Sequence, residues 1–335
     1  MATITIGSLS ETTTLSLGSL FEQQQTNSKR SPLRQMVPPG TTPGGRLSLQ
    51  SATPVMTADA TAQGTIYYCT YAHNIIPMAG NAYTIGSDNL SLILDATNHV
   101  ATNLYDIFAI VNSGAALLVT GPAWTNSTTR ATAISLQNGI WVNDAAMTHA
   151  YNNSTDYGTV AQYQGTYLGT FYATANGQTG MAFQPAGAAG GTANILGLYN
   201  AYNRVRVAAY CRDSTASYTY GSTTWRSRNN STSNRISWVD GLRTSVASVI
   251  LMDSLSTSTA GTNQATIGTN LDSTSNAPNI IGGNGLSANP GTFTLADAFL
   301  PQIGFHYAQA MESETTSGTG TFRPNNRPLL LHVDM

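Results

Sequence analysis

Alternation of apolar and polar positions organises this chain. In 204–212, RVRVAAYCR, Val205, Val207, Ala209 and Cys211 share one side of an extended backbone, while Arg204, Arg206, Tyr210 and Arg212 share the other. That is the two-residue period of a strand with one buried face and one wet face. The same reading marks strands at 46–50, 64–71, 90–94, 105–111, 116–120, 139–142 and 167–172. It continues at 196–199, 205–211, 217–220, 235–239, 246–252, 303–310 and 329–333. Turn-rich pieces such as NSGA, NNSTD, ANGQTG and NNSTSN separate them. No segment keeps helical spacing over three turns; LADAFL at 295–300 begins like a helix and is stopped by Pro301. The pattern predicts an all-β protein with a β-sandwich or jelly-roll body.

Residues 1–45 differ in kind. They hold ETTT, EQQQTNSKR and VPPGTTPGG, with two weak apolar patches at 4–6 and 15–21. Such a segment cannot bury enough apolar surface to fold alone, and its Pro- and Gly-rich end reads as a linker. It is expected to be an extended arm that orders against a partner or a neighbouring subunit, anchored through Ile4, Ile6, Leu15, Leu17, Leu20 and Phe21. Small, flexible residues at 185–194 suggest a seam, dividing the body into a first β-rich subdomain at 46–185 and a second at 195–335. The stretches 256–277 and 312–322 are polar and offer no clear core positions. No regular repeat emerges, which argues against solenoids and propellers.

Composition narrows the picture. Only 9% of residues are charged, against roughly 25% in ordinary soluble domains. A single lysine, Lys29, accompanies the arginines, and the formal net charge is −2. This balance offers no electrostatic footprint for nucleic acid or for an anionic membrane surface. The N-terminus MATITIGSLS lacks the basic segment and apolar core of a secretory signal, so synthesis and release in the cytoplasm are expected. Cys69 and Cys211, the only cysteines, sit in strand-like runs and read as buried thiols, a disulfide between them being the alternative.

Little in the chain can act as a reagent. The five histidines, His73, His99, His149, His306 and His332, lie far from metal-ligand spacing and read as surface or hydrogen-bonded loop residues. No nucleophile elbow and no phosphate-binding loop follows a strand. A glycan-cleaving pair would have to join Glu312 to Asp297 or Asp240, but a carboxylate at a strand end is ordinarily solvated. No catalytic residue, cofactor or metal is therefore assigned. Three Asn-Ser-Thr tripeptides, at Asn126, Asn153 and Asn230, match the glycosylation acceptor only as a chain so rich in these residues would by chance.

Aromatic residues are more suggestive, since amphipathic rings beside Asn and Gln suit subunit interfaces and sugar binding. Tyr67, Tyr71, Tyr199, Tyr202, Arg204, Arg206 and Trp225 are the candidate interface or glycan contacts. Trp124, Trp141 and Trp238, with Trp225, are expected in the core or in interfaces.

Several stretches resemble structural proteins of tailed bacteriophages and their prophages. They are GGRLSLQSATPVMTADATAQGTIYY at 44–68, DIFAIVNSGAALLVTGPAWTNSTTR at 106–130, NGIWVN at 138–143, GTYLGTF at 165–171 and YNAYNRV at 199–205. WRSRNNSTSNRISWVDGL at 225–242, TIGTNLDSTS at 266–275 and IGFHYAQAMES at 303–313 extend it. The resemblance implies a non-enzymatic virion protein, fibre-like and homotrimeric, with its arm docked on capsid, portal, collar or tail proteins. It carries no catalytic residue. Alternatives are a receptor-binding protein that holds host surface glycan and a capsid decoration or cement protein. A glycan-degrading tailspike stands further back.

Overall fold

A computed structural model describes residues 40–86, 89–258, 264–278, 281–282, 289–315 and 318–335. The expected arm anchors Ile4, Ile6, Leu15, Leu17, Leu20 and Phe21 lie outside the described residues. Within them the body is all-β: 27 strands and one 3-10 turn, as the alternation predicts.

Two eight-stranded sheets and one six-stranded sheet carry most of the mass, beside a three-stranded sheet and a hairpin. The first large sheet centres on Leu104–Asn112 and Thr166–Tyr172, with Ala115–Ala123 on one side and Ile140–Asn143 then Ile134–Gln137 on the other. The second runs through Thr179–Met181, Asn194–Leu196, Arg235–Asp240, Gly304–Glu314 and Ala265–Leu271. Its Asn194–Leu196 strand pairs in parallel with Arg235–Asp240. The six-stranded sheet places Arg206–Arg212, Pro328–Asp334, Ala247–Thr257 and Gly291–Phe299 side by side.

Strands from both sides of 185–194 share the second sheet, and Leu198–Asn200 pairs with Thr166–Tyr172 across that stretch. One apolar cluster runs from Leu47 and Leu92 through Leu196 and Trp238 to Leu251 and Leu331. The two halves are knitted by backbone pairing and by this core. A smaller cluster gathers Phe108, Met147, Tyr167, Tyr199 and Val239. Burial of such side chains is the main favourable term, each large one contributing about 1.5–3 kcal/mol.

Three expectations fail. LADAFL is extended: Gly291–Phe299 pairs along its whole length with Ala247–Thr257. Leu295 and Phe299 are both buried, and a spacing of four satisfies a helix and a strand alike. Residues 256–277 contain Ala265–Leu271, an interior strand paired to Gly304–Glu314 with Ala265 to Asn270 all buried. Its polar side chains hide well because each finds a partner: Thr266 Oγ1 donates to Ser313 O at 2.8 Å and Thr269 Oγ1 to Asp297 Oδ2 at 2.6 Å. Finally, 312–322 holds core positions, since Glu312, Ser313, Glu314 and Phe322 are buried.

Cys69 and Cys211 are buried and free, and burial raises both thiols. His306 is buried within a strand, not on the surface or in a loop, with Nδ1 2.7 Å from Asp272. His99 is fully buried too, edge-on to Tyr105 and tilted against Phe171.

Candidate assembly surface

The six-stranded sheet has one face in the core and one turned outward. Val249, Leu251, Leu295, Phe299, Leu329, Leu331 and Cys211 point inward and are buried. Pleating then sends the alternate residues of the same strands to the other side. Register makes that outer face explicit. Ala296, Ile250, Leu330 and Tyr210 form one row across four strands; Ala298, Ser248, His332 and Ala208 form the next. Met252 faces Thr294 beyond them. Where the strands end, Val246 is 42% exposed and Leu300 78%.

This face is poor in charge. Its ionised groups lie on the Arg206–Arg212 rim strand and its neighbour: Arg206 lies 4.0 Å from Asp334 and reaches over the face to Ser248 Oγ at 3.3 Å, and the Arg212 guanidinium lies over the Tyr210 ring at 4.9 Å. The opposite rim is the Gly291–Phe299 strand. Among the described residues no strand pairs with its outer side, so alternate residues of this nine-residue strand turn backbone N–H and C=O toward an edge without a strand partner. Proteins ordinarily blunt such an edge with Lys, Pro or a bulge. This strand has an unbroken register, and its outward side chains are Thr292, Thr294, Ala296 and Ala298.

Behind the sheet the chain hides its charges. Arg228 and Asp253 are both fully buried, Nε 3.0 Å from Oδ2. Against the pull of burial, the Asp253 carboxylate keeps the Arg228 guanidinium firmly protonated. Asp253 Oδ1 accepts backbone N–H groups of Ser254 at 2.7 Å and Arg323 at 3.1 Å. A second group joins Glu312 to Arg226 Nε at 2.7 Å and to the Tyr218 hydroxyl, which itself accepts the Asn229 N–H at 3.0 Å. Burial raises the Glu312 carboxyl, and the bonds from Tyr218 and Arg226 oppose that rise.

Glu312 is thus a buried strut rather than a solvated strand end, because Arg226–Ser227 pairs beside it in the sheet. Of the carboxylates considered beside it, Asp297 accepts Thr269, and Asp240 accepts the N–H groups of Leu242 and Arg243.

The seven candidate contacts do not gather. Arg206 alone stands on the outer face. Tyr199 is fully buried, its hydroxyl 3.0 Å from Thr244 Oγ1, and is removed from the surface candidates. Tyr202 is part-buried, accepts the Trp141 N–H at 2.6 Å and packs on the smaller core. Arg204 is drawn down to Tyr199, Thr244 and Ser245. Tyr67 is half-buried on the three-stranded sheet; Tyr71, 47% exposed, lies under the Arg46 guanidinium at 5.6 Å. Trp225 is half-buried.

What the sequence reading missed was legible in part. VASVILM at 246–252 is apolar on both sides of the alternation apart from Ser248, and strands flanked by core on one side only do not need that.

No protein-family model and no curated protein matches the chain. Among solved structures it is similar to that of the infectious bursal disease virus Gx strain, at 10% identity over 88% of this chain and 73% of that one, TM-score 0.23. It is also similar to the insecticidal delta-endotoxin Cry8Ea1 of Bacillus thuringiensis, at 8% identity over 87% of this chain and 51% of that one, TM-score 0.19. Scores this low leave the functional reading to the chain's own residues.

Proposed function

We propose that this chain is a non-enzymatic structural component of a virus particle, whose β-rich body associates with copies of itself. The outer face of the six-stranded sheet carries the reading. Val246, Ala296, Ala298 and Leu300 are exposed and Ile250, Met252 and Leu330 half-buried on this face, interrupted by Ser248 and His332, and it ends at a strand with no partner on its outer side among the described residues. Exposed apolar patches of this kind mark association sites. A second copy is the occupant that fits best. The Arg206–Asp334 pair is closed within the copy at 4.0 Å, so the same face of a second copy can meet it without leaving a charge unpaired. The resemblance to tailed-phage structural proteins favours a homotrimer on a tailed bacteriophage particle, with the N-terminal arm as its attachment.

Light scattering on the purified full chain tests the association. A stable oligomer is expected, at least tenfold weaker in Ala298→Asp, where an exposed position gains a charge at no cost to the core. A stable monomer in the wild-type chain overturns the oligomer, and an Ala298→Asp variant that associates as well as the parent overturns this face as its contact. Mass spectrometry of purified particles tests the location, and absence of the chain from them overturns the virion reading.

A further inference from the structure

We infer that a groove beside Gly40 is the seat of the apolar patch at 15–21 of this chain's own N-terminal segment. The groove encloses about 690 Å³, within the roughly 300–1,000 Å³ of ordinary ligand sites. Pro77, Met78, Val142 and Thr166 are its buried floor, and Tyr163 and Gln164 stand exposed at its rim. Two hairpins shape it. One turns at Ala79 and Gly80, with φ of 48° and 75°, and the other at Asn138 and Gly139, with φ of 51° and 83°. Both therefore bend as mirror-image turns that suit tight hairpins.

Three observations select the occupant. Gly40 and Thr41, where the described chain begins, are part of the groove's own wall, so everything before them departs from this place. The Ile134–Gln137 strand, whose Gln137 lines the groove, ends its sheet, and among the described residues nothing pairs with its outer side. The segment LSLGSLF at 15–21 alternates apolar and polar at Leu15, Ser16, Leu17, the pattern of a strand that adds to a free edge while dropping alternate side chains into pockets. Ile4, Thr5 and Ile6 alternate likewise but stand farther from Gly40, and neither 33–37, LRQMV, nor the polar run between has the pattern.

Reach sets no obstacle. The roughly 19 residues from Phe21 to Gly40 extend to at most about 65 Å, enough for the chain's own groove or a neighbour's. Only in the second case does the inference depend on the assembly reading, because the arm then clasps one copy to the next.

Paired cysteines in the full chain provide the test, with Cys69 and Cys211 buried and out of the way. On mild oxidation, Leu17→Cys with Gln164→Cys is expected to form a disulfide. Mixing the two single variants reports whether the bond joins different copies. Adding Leu15→Asp should suppress it and speed proteolytic removal of the arm, leaving the melting temperature of the body unchanged. No disulfide in either arrangement, together with equal proteolysis of the wild-type and Leu15→Asp arms, overturns the inference. A disulfide within a solution monomer upholds the groove and removes the assembly reading. A stable oligomer with no disulfide does the reverse.

Discussion

The interior behind the six-stranded sheet and the outer face of that same sheet invert the usual distribution of side chains. Arg228, Asp253, Glu312, Asp213 and Asp240 are buried, whereas Val246 and Leu300 are exposed. In a chain with so few charges, these groups serve as internal struts and leave the surface to Ser, Thr, Asn and Gly. A buried ion pair adds little net stability over an apolar replacement, but it punishes any arrangement that separates its members. An apolar sheet face contributes nothing to the isolated body and a great deal to a contact. The first region therefore specifies how the strands of one copy register, and the second what that copy can join.

The widest separation between the two regions should come from Arg228→Met. It strands Asp253 in the interior and should cost about 3–5 kcal/mol in denaturant unfolding, while Arg228→Met with Asp253→Leu recovers most of the loss. If the single variant unfolds like the parent, the buried pair is not a strut.

A neutral group in the core responds to pH by the same physics. His99 Nδ1 accepts the Asp95 N–H at 2.9 Å, and Nε2 lies 2.9 Å from Thr120 Oγ1. Burial lowers its pKa to about 4, and the charge of Asp95 opposes this only in part. The folded state thus binds the proton less well than the unfolded chain. Its contribution is complete above the ordinary value near 6.5 and is lost as pH falls toward 4, by about 3 kcal/mol in all. Unfolding free energies between pH 7 and 4 check this, and His99→Gln should lose that part of the slope.

The smallest effect is expected on the outer face. Leu300→Ser, at a residue 78% exposed, should change the stability of a dissociated body by less than about 0.5 kcal/mol. Dilution to the monomer followed by thermal unfolding measures it, and a larger loss would mean that the face already packs within one copy.

Much of the fold could be read from alternation because half-buried strands write their environment into every second residue. Residues 205–211 and 329–333 behave so, and they pair as Arg206–Arg212 with Pro328–Asp334. The reading failed where burial did not require apolar side chains. Ala265–Leu271 looks like a polar loop because Thr266, Thr269 and Asn270 satisfy their hydrogen bonds inside the sheet. It also failed where one spacing serves two periods, as in Leu295 and Phe299. Of the seven surface candidates, Arg206 alone reached the outer face; an arginine after Tyr199 looks much the same in sequence whether it meets solvent or folds back on Thr244.

Sequence alone determined that the chain is all-β, because strand periodicity is a local property, and by composition it set residues 1–45 apart from the body. Tertiary structure decided which of two apolar faces is left uncovered at 246–252, where Arg228 finds its counter-charge, and which strand becomes an edge. Those outcomes depend on pairing between residues far apart in the chain, such as Ile250 with Leu330 and Ala296, and no local pattern specifies the partner.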